Sequence, residues 1–90
     1  TGVDYIKAER PGIITYFRKP GEIVRKGDVI AEILNHLAED PAEEISLVKT
    51  RTDGIFFSRN VDRFAHPGRI VAKVAGKTPL REESGNLLTQ

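Results

Sequence analysis

The segments Gly27-Asp28-Val29-Ile30-Ala31-Glu32-Ile33 and Gly68-Arg69-Ile70-Val71-Ala72-Lys73-Val74 decide how this chain folds. Their apolar positions match one for one, and Glu32 aligns with the equally polar Lys73. Val29, Ala31 and Ile33 fall on one side and Glu32 on the other, the period of two that marks a strand. The runs are too short for helices and are flanked by Gly. A second pair strengthens the repeat. Pro11-Gly12-Ile13-Ile14 and Asp53-Gly54-Ile55-Phe56 each have a Gly opening a strand with two large apolar residues. Gly12 and Gly54 are 42 positions apart, Gly27 and Gly68 are 41 apart, so one single-residue insertion or deletion joins two parallel halves. Two repeats are too few for a solenoid, which needs three or more. They predict a pseudo-two-fold closed β structure in which each half covers the other's edge.

The 90 residues make one domain or part of one. The 8 Gly and 5 Pro are spread along the chain and punctuate short β-branched runs. Strands are expected near residues 5–8, 12–17, 29–34, 45–51, 54–58 and 70–75. Asp40-Pro41-Ala42-Glu43 predicts one helical turn between two strands, with Asp at the N-cap, Pro at the first helical position and Glu where a capping box places it. Residues 1–76 form the β domain in this reading. Residues 77–90 form a polar tail whose Leu80, Leu87 and Leu88 suit anchoring onto the β domain or onto a partner domain.

Composition removes several functions. With 14 Lys+Arg against 13 Asp+Glu, the chain lacks the clustered excess of one sign that a nucleic-acid or polybasic membrane surface needs. No Cys is present, so disulfides, thiol catalysis and Cys-type zinc sites are excluded, and 2 His cannot make a three-histidine site. No apolar run approaches the ~20 residues of a membrane helix. Thr1-Gly2-Val3-Asp4 shows no signal-peptide pattern, and a start without Met reads as a fragment or a processed piece. A domain this small buries only about 60–65% of its unfolded surface, which leaves little room for a deep catalytic cleft.

Pro20-Gly21-Glu22-Ile23-Val24-Arg25-Lys26-Gly27-Asp28-Val29-Ile30-Ala31-Glu32-Ile33 resembles the "G-x-x-V-x-x-G-D-x-[IL]-x-x-I" strand pair of biotinyl/lipoyl-type domains, and Thr52-Asp53-Gly54-Ile55-Phe56 resembles their second-half strand. The resemblance implies an all-β barrel-sandwich hybrid with a quasi-two-fold repeat. The turn needs Gly27 so that Val24 and Val29 face inward while the chain reverses. A cofactor carrier presents a Lys at the tip between its halves, but the segment from Leu34 to Glu44 has none, and Lys49 reads as an outward strand residue. The carrier reading is therefore rejected.

A second resemblance covers nearly the whole chain. The β core, a longer acidic loop, and the tail motifs Gly76-Lys77-Thr78-Pro79-Leu80 and Gly85-Asn86-Leu87-Leu88 look like the C-terminal domain of the succinylglutamate desuccinylase/aspartoacylase family. That resemblance implies a non-catalytic domain of a cytoplasmic, zinc-dependent amide hydrolase of N-acyl amino acids. The zinc, its His-x-x-Glu and a catalytic Glu would lie in an N-terminal catalytic domain, the partner of this one. Contacts with a second copy in a homo-oligomer are also implied, with neither nucleic acid nor membrane as partner. The runner-up is a binding or assembly module such as an efflux adaptor's barrel-sandwich domain. Those carry a long coiled-coil hairpin, whereas the connection here is about a dozen residues with Pro41 inside it and no heptads.

Four features carry competing readings. His36-Leu37-Ala38-Glu39 is literally a His-x-x-Glu, but a zinc hydrolase site needs three protein ligands and only His66 is left to complete it. Solvent-exposed loop histidines are the plainer reading. Glu39, Asp40, Glu43 and Glu44 lack the spacing of a Ca²⁺ loop and read as a solvated acidic loop. Arg59 and Arg63, like the pairs Arg18-Lys19 and Arg25-Lys26, either draw an anionic acyl-amino-acid toward a neighbouring active site or form charged turns that keep a β edge soluble. Phe64 either belongs to a docking surface or plugs one end of the barrel. Arg59, Arg63 and Phe64 are the candidates for framing a substrate entrance.

Overall fold

The computed structural model describes residues 2–76; the expectations for Leu80, Leu87, Leu88 and the tail motifs fall outside them. Among the described residues eight strands occur in order: β1 (Val3–Lys7), β2 (Gly12–Tyr16), β3 (Ile23–Val24), β4 (Val29–Leu34), β5 (Ile45–Lys49), β6 (Gly54–Arg59), β7 (Phe64–Ala65) and β8 (Ile70–Gly76). They form two antiparallel four-stranded sheets, β1-β8-β6-β3 and β5-β4-β2-β7. This is the all-β barrel-sandwich arrangement expected from the repeat. Strand for strand, β1 corresponds to β5, β8 to β4, β6 to β2 and β3 to β7, so an approximate dyad relates the sheets.

The core obeys the same dyad. The buried side chains are Ile6, Ala8, Ile14, Val24, Ile30, Ala31, Ile33, Val48, Thr50, Phe56, Ala65, Val71, Ala72 and Val74. They fall into seven pairs: Ile6 with Val48, Ala8 with Thr50, Ile14 with Phe56, Val24 with Ala65, Ile30 with Val71, Ala31 with Ala72, and Ile33 with Val74. Each sheet has one apolar face, and burying it against the other sheet removes both from water. Thr50 is the polar member. Its hydroxyl donates to Thr52 O at 2.7 Å and accepts from Thr52 N at 3.1 Å, so burial leaves it satisfied.

Three details correct the sequence reading. Val24 is buried as the Gly27 turn requires, but Val29 is only half-buried, and both Ile30 and Ala31 are core residues. A β-bulge is the cause: Val29 pairs with Lys49 and Ala31 with Val48, leaving Ile30 unopposed. The dyad copy has its own bulge, where Lys7 pairs with Ile70 and Ile6 with Ala72, leaving Val71 unopposed. The single-residue indel resolves into two events. Phe57 is an extra residue in β6, bulged between the pairs Phe56–Val74 and Ser58–Lys73. The following connection, residues 60–63, is then two residues shorter than residues 17–22. Finally, β3 and β7 add two strands to the six expected from periodicity, since two residues carry no readable period.

Pro41–Glu43 forms a single 3₁₀ turn, with Asp40 as N-cap accepting from the Ala42 amide at 2.9 Å. Glu43 does not close a capping box there; it pairs with Arg10 at 3.0 Å. Gly27 (φ 93°) and Gly68 (φ 85°) occupy dyad-equivalent turns in the left-handed region, which glycine adopts without strain. Gly12 and Gly54 are equivalent for a different reason. A Cβ on Gly12 would strike the carbonyl oxygen of Leu34, and one on Gly54 that of Ala75, so the strands can approach only where both lack side chains.

Gly54→Ala is therefore expected to destabilise the fold by about 3 kcal/mol, the upper end of the overpacking range. Gly2→Ala, with open space around its Cα, should leave the urea midpoint unchanged. Equal midpoints for the two variants would contradict the close approach.

Candidate functional site: a tyrosine clasp and two clefts

Arg59, Arg63 and Phe64 do not converge. Arg59 is the last residue of β6 in one sheet, whereas Phe64 opens β7 in the other. The Arg59 guanidinium lies over the ring of Tyr16, 5.6 Å from its centroid. The connection between the two strands is built from successive side-chain-to-backbone turns: the Asp62 amide donates to Asn60 Oδ1 at 3.2 Å, and the Phe64 amide donates to Asp62 Oδ1 at 3.1 Å. Arg63 is exposed, and its carbonyl accepts from the Ile14 amide at 2.9 Å. Phe64 pairs with Ile13 on the outward face of its sheet and stays 47% exposed, tilted against His66 at 5.4 Å. It does not plug the barrel.

Tyr16 is the residue that sequence reasoning overlooked. Its hydroxyl donates to Val71 O at 2.7 Å and accepts from the Asn60 amide at 3.1 Å, so one phenol joins β2 to the opposite sheet. Its ring stacks on Phe56 at 6.2 Å. Tyr16 pairs with Ala31 as Arg59 pairs with Ala72, which makes Tyr16 and Arg59 dyad mates in contact with each other. Beside this clasp a cleft of about 260 Å³ is lined by Ser58, Arg59, Asn60, Ile70 and Lys73, among others. The structure thus groups Arg59 with Lys73, rather than with Arg63 and Phe64.

A larger groove, about 720 Å³, runs between β1 and β5 and includes Tyr5, Lys7, Leu47, Lys49 and Arg51. Among the described residues both strands are sheet edges, β1 hydrogen-bonded to β8 and β5 to β4. Arg51 crosses the groove to pair with Asp4, and its amide also donates to Asp4 Oδ2 at 3.3 Å. The hydrogen bond to Asp4 raises the Arg51 pKa, which is already far above neutrality. The sequence held one usable signal for this groove: Tyr5-Ile6-Lys7-Ala8 and Leu47-Val48-Lys49-Thr50 are also 42 apart.

His36 and Glu39 are exposed in the connection after β4, and His66 is exposed in the turn after β7. Among the described residues, no group of three or more His, Asp or Glu side chains could hold a metal ion. No helix among them is long and apolar enough to cross a membrane.

No protein-family profile matches this sequence, and no curated protein matches it. Solved structures do. One, from Shewanella amazonensis, is described as a succinylglutamate desuccinylase/aspartoacylase family protein; it matches 83% of this chain with a TM-score of 0.76 at 21% identity. Another, the product-bound ectoine utilization protein EutE (DoeB) from Ruegeria pomeroyi, matches 81% with a TM-score of 0.70 at 22% identity. The chain spans about a fifth of either protein, 20% and 22% of their lengths. At such identities the likeness is one of fold, and the family that the sequence resembles is represented among proteins sharing it.

Burial pushes the Tyr16 phenol above its ordinary pKa of 10.0, against the opposing pull of the Asn60 amide and the Arg59 charge. Because folding raises this value, the tyrosine's contribution is intact below about pH 10 and is lost as pH rises through the folded pKa. Phenolate absorbance of a Tyr5→Phe chain should report Tyr16 ionising above that value. Tyr16→Phe should lower stability by about 1–3 kcal/mol at neutral pH, since Val71 O and the Asn60 amide lose their partner. It should also flatten the alkaline decline of the urea midpoint.

Proposed function

We propose that this chain is the non-catalytic C-terminal domain of a zinc-dependent deacylase, an amide hydrolase of N-acyl amino acids. In that setting it frames the substrate entrance and contributes to subunit contacts. The observation that carries the reading is the fold likeness to the Shewanella amazonensis family protein, which covers most of this chain and about a fifth of that one. A larger parent chain would then supply the rest. The described residues offer no set of ligands that fits a zinc ion, so the metal, the water it activates and the base belong, in this reading, to a preceding domain in a cytoplasmic enzyme.

Arg59, Arg63 and Phe64 are the entrance residues of this reading. Arg63 and Phe64 are exposed at one end of β7, where a cation can draw in a carboxylate and a phenyl ring can rest against an apolar acyl chain. Arg59 is committed to the Tyr16 ring and would act mainly by bracing that end of the barrel.

The test is to purify the full parent protein with zinc and assay it against N-acetyl and N-succinyl amino acids. Turnover that is lost on chelation is expected. Arg63→Ala should raise KM about two- to five-fold with kcat unchanged, the effect of one exposed charge. The 90-residue chain alone should give no turnover. A parent without amide hydrolysis, or turnover by this domain, would overturn the reading.

A further inference from the structure

β1 and β5 each turn an edge toward the groove between them, and strand alternation decides which backbone groups lie on it. The Gly2 carbonyl accepts from the Gly76 amide, and the Ala8 amide donates to Arg69 O. Even-numbered residues of this stretch therefore face β8, and Val3, Tyr5 and Lys7 turn their N–H and C=O groups toward the groove. On β5 the Glu44 carbonyl accepts from the Asn35 amide, and the Thr50 amide donates to Asp28 O. Ile45, Leu47 and Lys49 then turn theirs toward the groove from the other side. Among the described residues no strand pairs with either edge. Backbone donors and acceptors aligned in this way are a template for one more strand.

The two edges are not equally open. Arg51 pairs with Asp4, and its Nη2 donates to Tyr5 O at 3.4 Å, so a side chain already caps the middle of the β1 edge. The dyad counterparts of Asp4 and Arg51 are Ser46 and Glu9. These two cannot form the same ion pair, and a carboxylate cannot donate to the Leu47 carbonyl as the guanidinium does to that of Tyr5. The asymmetry leaves β5 as the receptive edge.

We infer that the β5 edge takes an extended acidic peptide as an added strand, seated in the groove. Main-chain hydrogen bonds to Ile45, Leu47 and Lys49 would hold it, the mode in which a sheet edge recruits a strand from another chain. Its side chains alternate between two surroundings. One set meets Ile6, Ile33 and Val48, the buried apolar residues that line the groove. The other set points outward between Lys7 and Lys49, dyad mates that are both exposed in the same lining. Of the two acids there, Asp4 is tied to Arg51, and Glu9 stands past Lys7 at the opposite end from Asp4. The two ammoniums therefore favour carboxylates in the outward positions. Five residues at ~3.4 Å each match the length of β5, so the ligand is a segment of about five residues that alternates β-branched apolar side chains with Glu or Asp.

The probe is acetyl-Val-Glu-Val-Glu-Val-amide, titrated into the full 90-residue chain and followed by NMR. At saturation the Leu47 and Lys49 amides should exchange with solvent at least ten-fold more slowly, while those of Val3 and Tyr5 keep their rates. Lys7→Glu combined with Lys49→Glu should weaken binding by about ten-fold or more, and Arg69→Glu, an equal charge change at an exposed turn, should not. The same peptide with Lys in place of Glu should bind more weakly than the acidic one. No binding at millimolar peptide, equal affinity for the two peptides, or protection on β1 instead of β5 would each overturn the inference. So would Leu47 and Lys49 amides already protected without peptide: protection that grows with protein concentration would assign the edge to a second copy, and protection independent of it to this chain itself.

Discussion

Neither sheet can bury its inner face without the other. Each has four short strands with apolar residues on one side, and that side is buried against its near-copy across the dyad. The seven core pairs follow from that requirement. So do the two close approaches at Gly12 and Gly54, which let β2 and β6 sit against the carbonyls of Leu34 and Ala75. A core of this kind is thin and finely matched. Phe56, Ile30 and Ile33 are its largest fully buried members, and close-packed interiors respond to single methyl groups.

The departures from symmetry gather at one end. Ile14 has Phe56 as its mate, Tyr16 has Arg59, and the connection of residues 17–22 has the shorter 60–63. The extra residue Phe57 lies at the start of this region. Its effect is to bring Arg59 level with Ala72, opposite the Tyr16 ring. A phenol and a guanidinium then replace what would be two like side chains meeting on the axis. At the other end β1 and β5 keep the dyad closely, and the groove between them is lined by corresponding residues such as Lys7 and Lys49.

The repeat could be read from the chain because Gly27 and Gly68 punctuate identical apolar runs, and periodicity with glycine turns is a local property. The bulges could not. Ile30 and Ala31 are both apolar, so a period of two cannot tell which one is supernumerary, and the answer lies in Val48 and Lys49 of another strand. The candidate site was less legible still. Arg59, Arg63 and Phe64 are neighbours in sequence, but β6 and β7 enter different sheets and carry them apart. Tyr16 drew no notice because its partners, Val71 and Asn60, are more than forty residues away.

The position of β8 has a consequence for biosynthesis. It is the last described strand to leave the ribosome, yet it lies between β1 and β6 in its sheet. Until residues 70–76 emerge from the exit tunnel, β1, the first of the described strands to be made, lacks β8 beside it, and among the described strands β6 has only the two-residue β3. The other sheet can assemble β2, β4 and β5 much earlier. A nascent chain halted before Ile70 would expose that finished half with its inner face uncovered, so closure of the two sheets has to wait for β8.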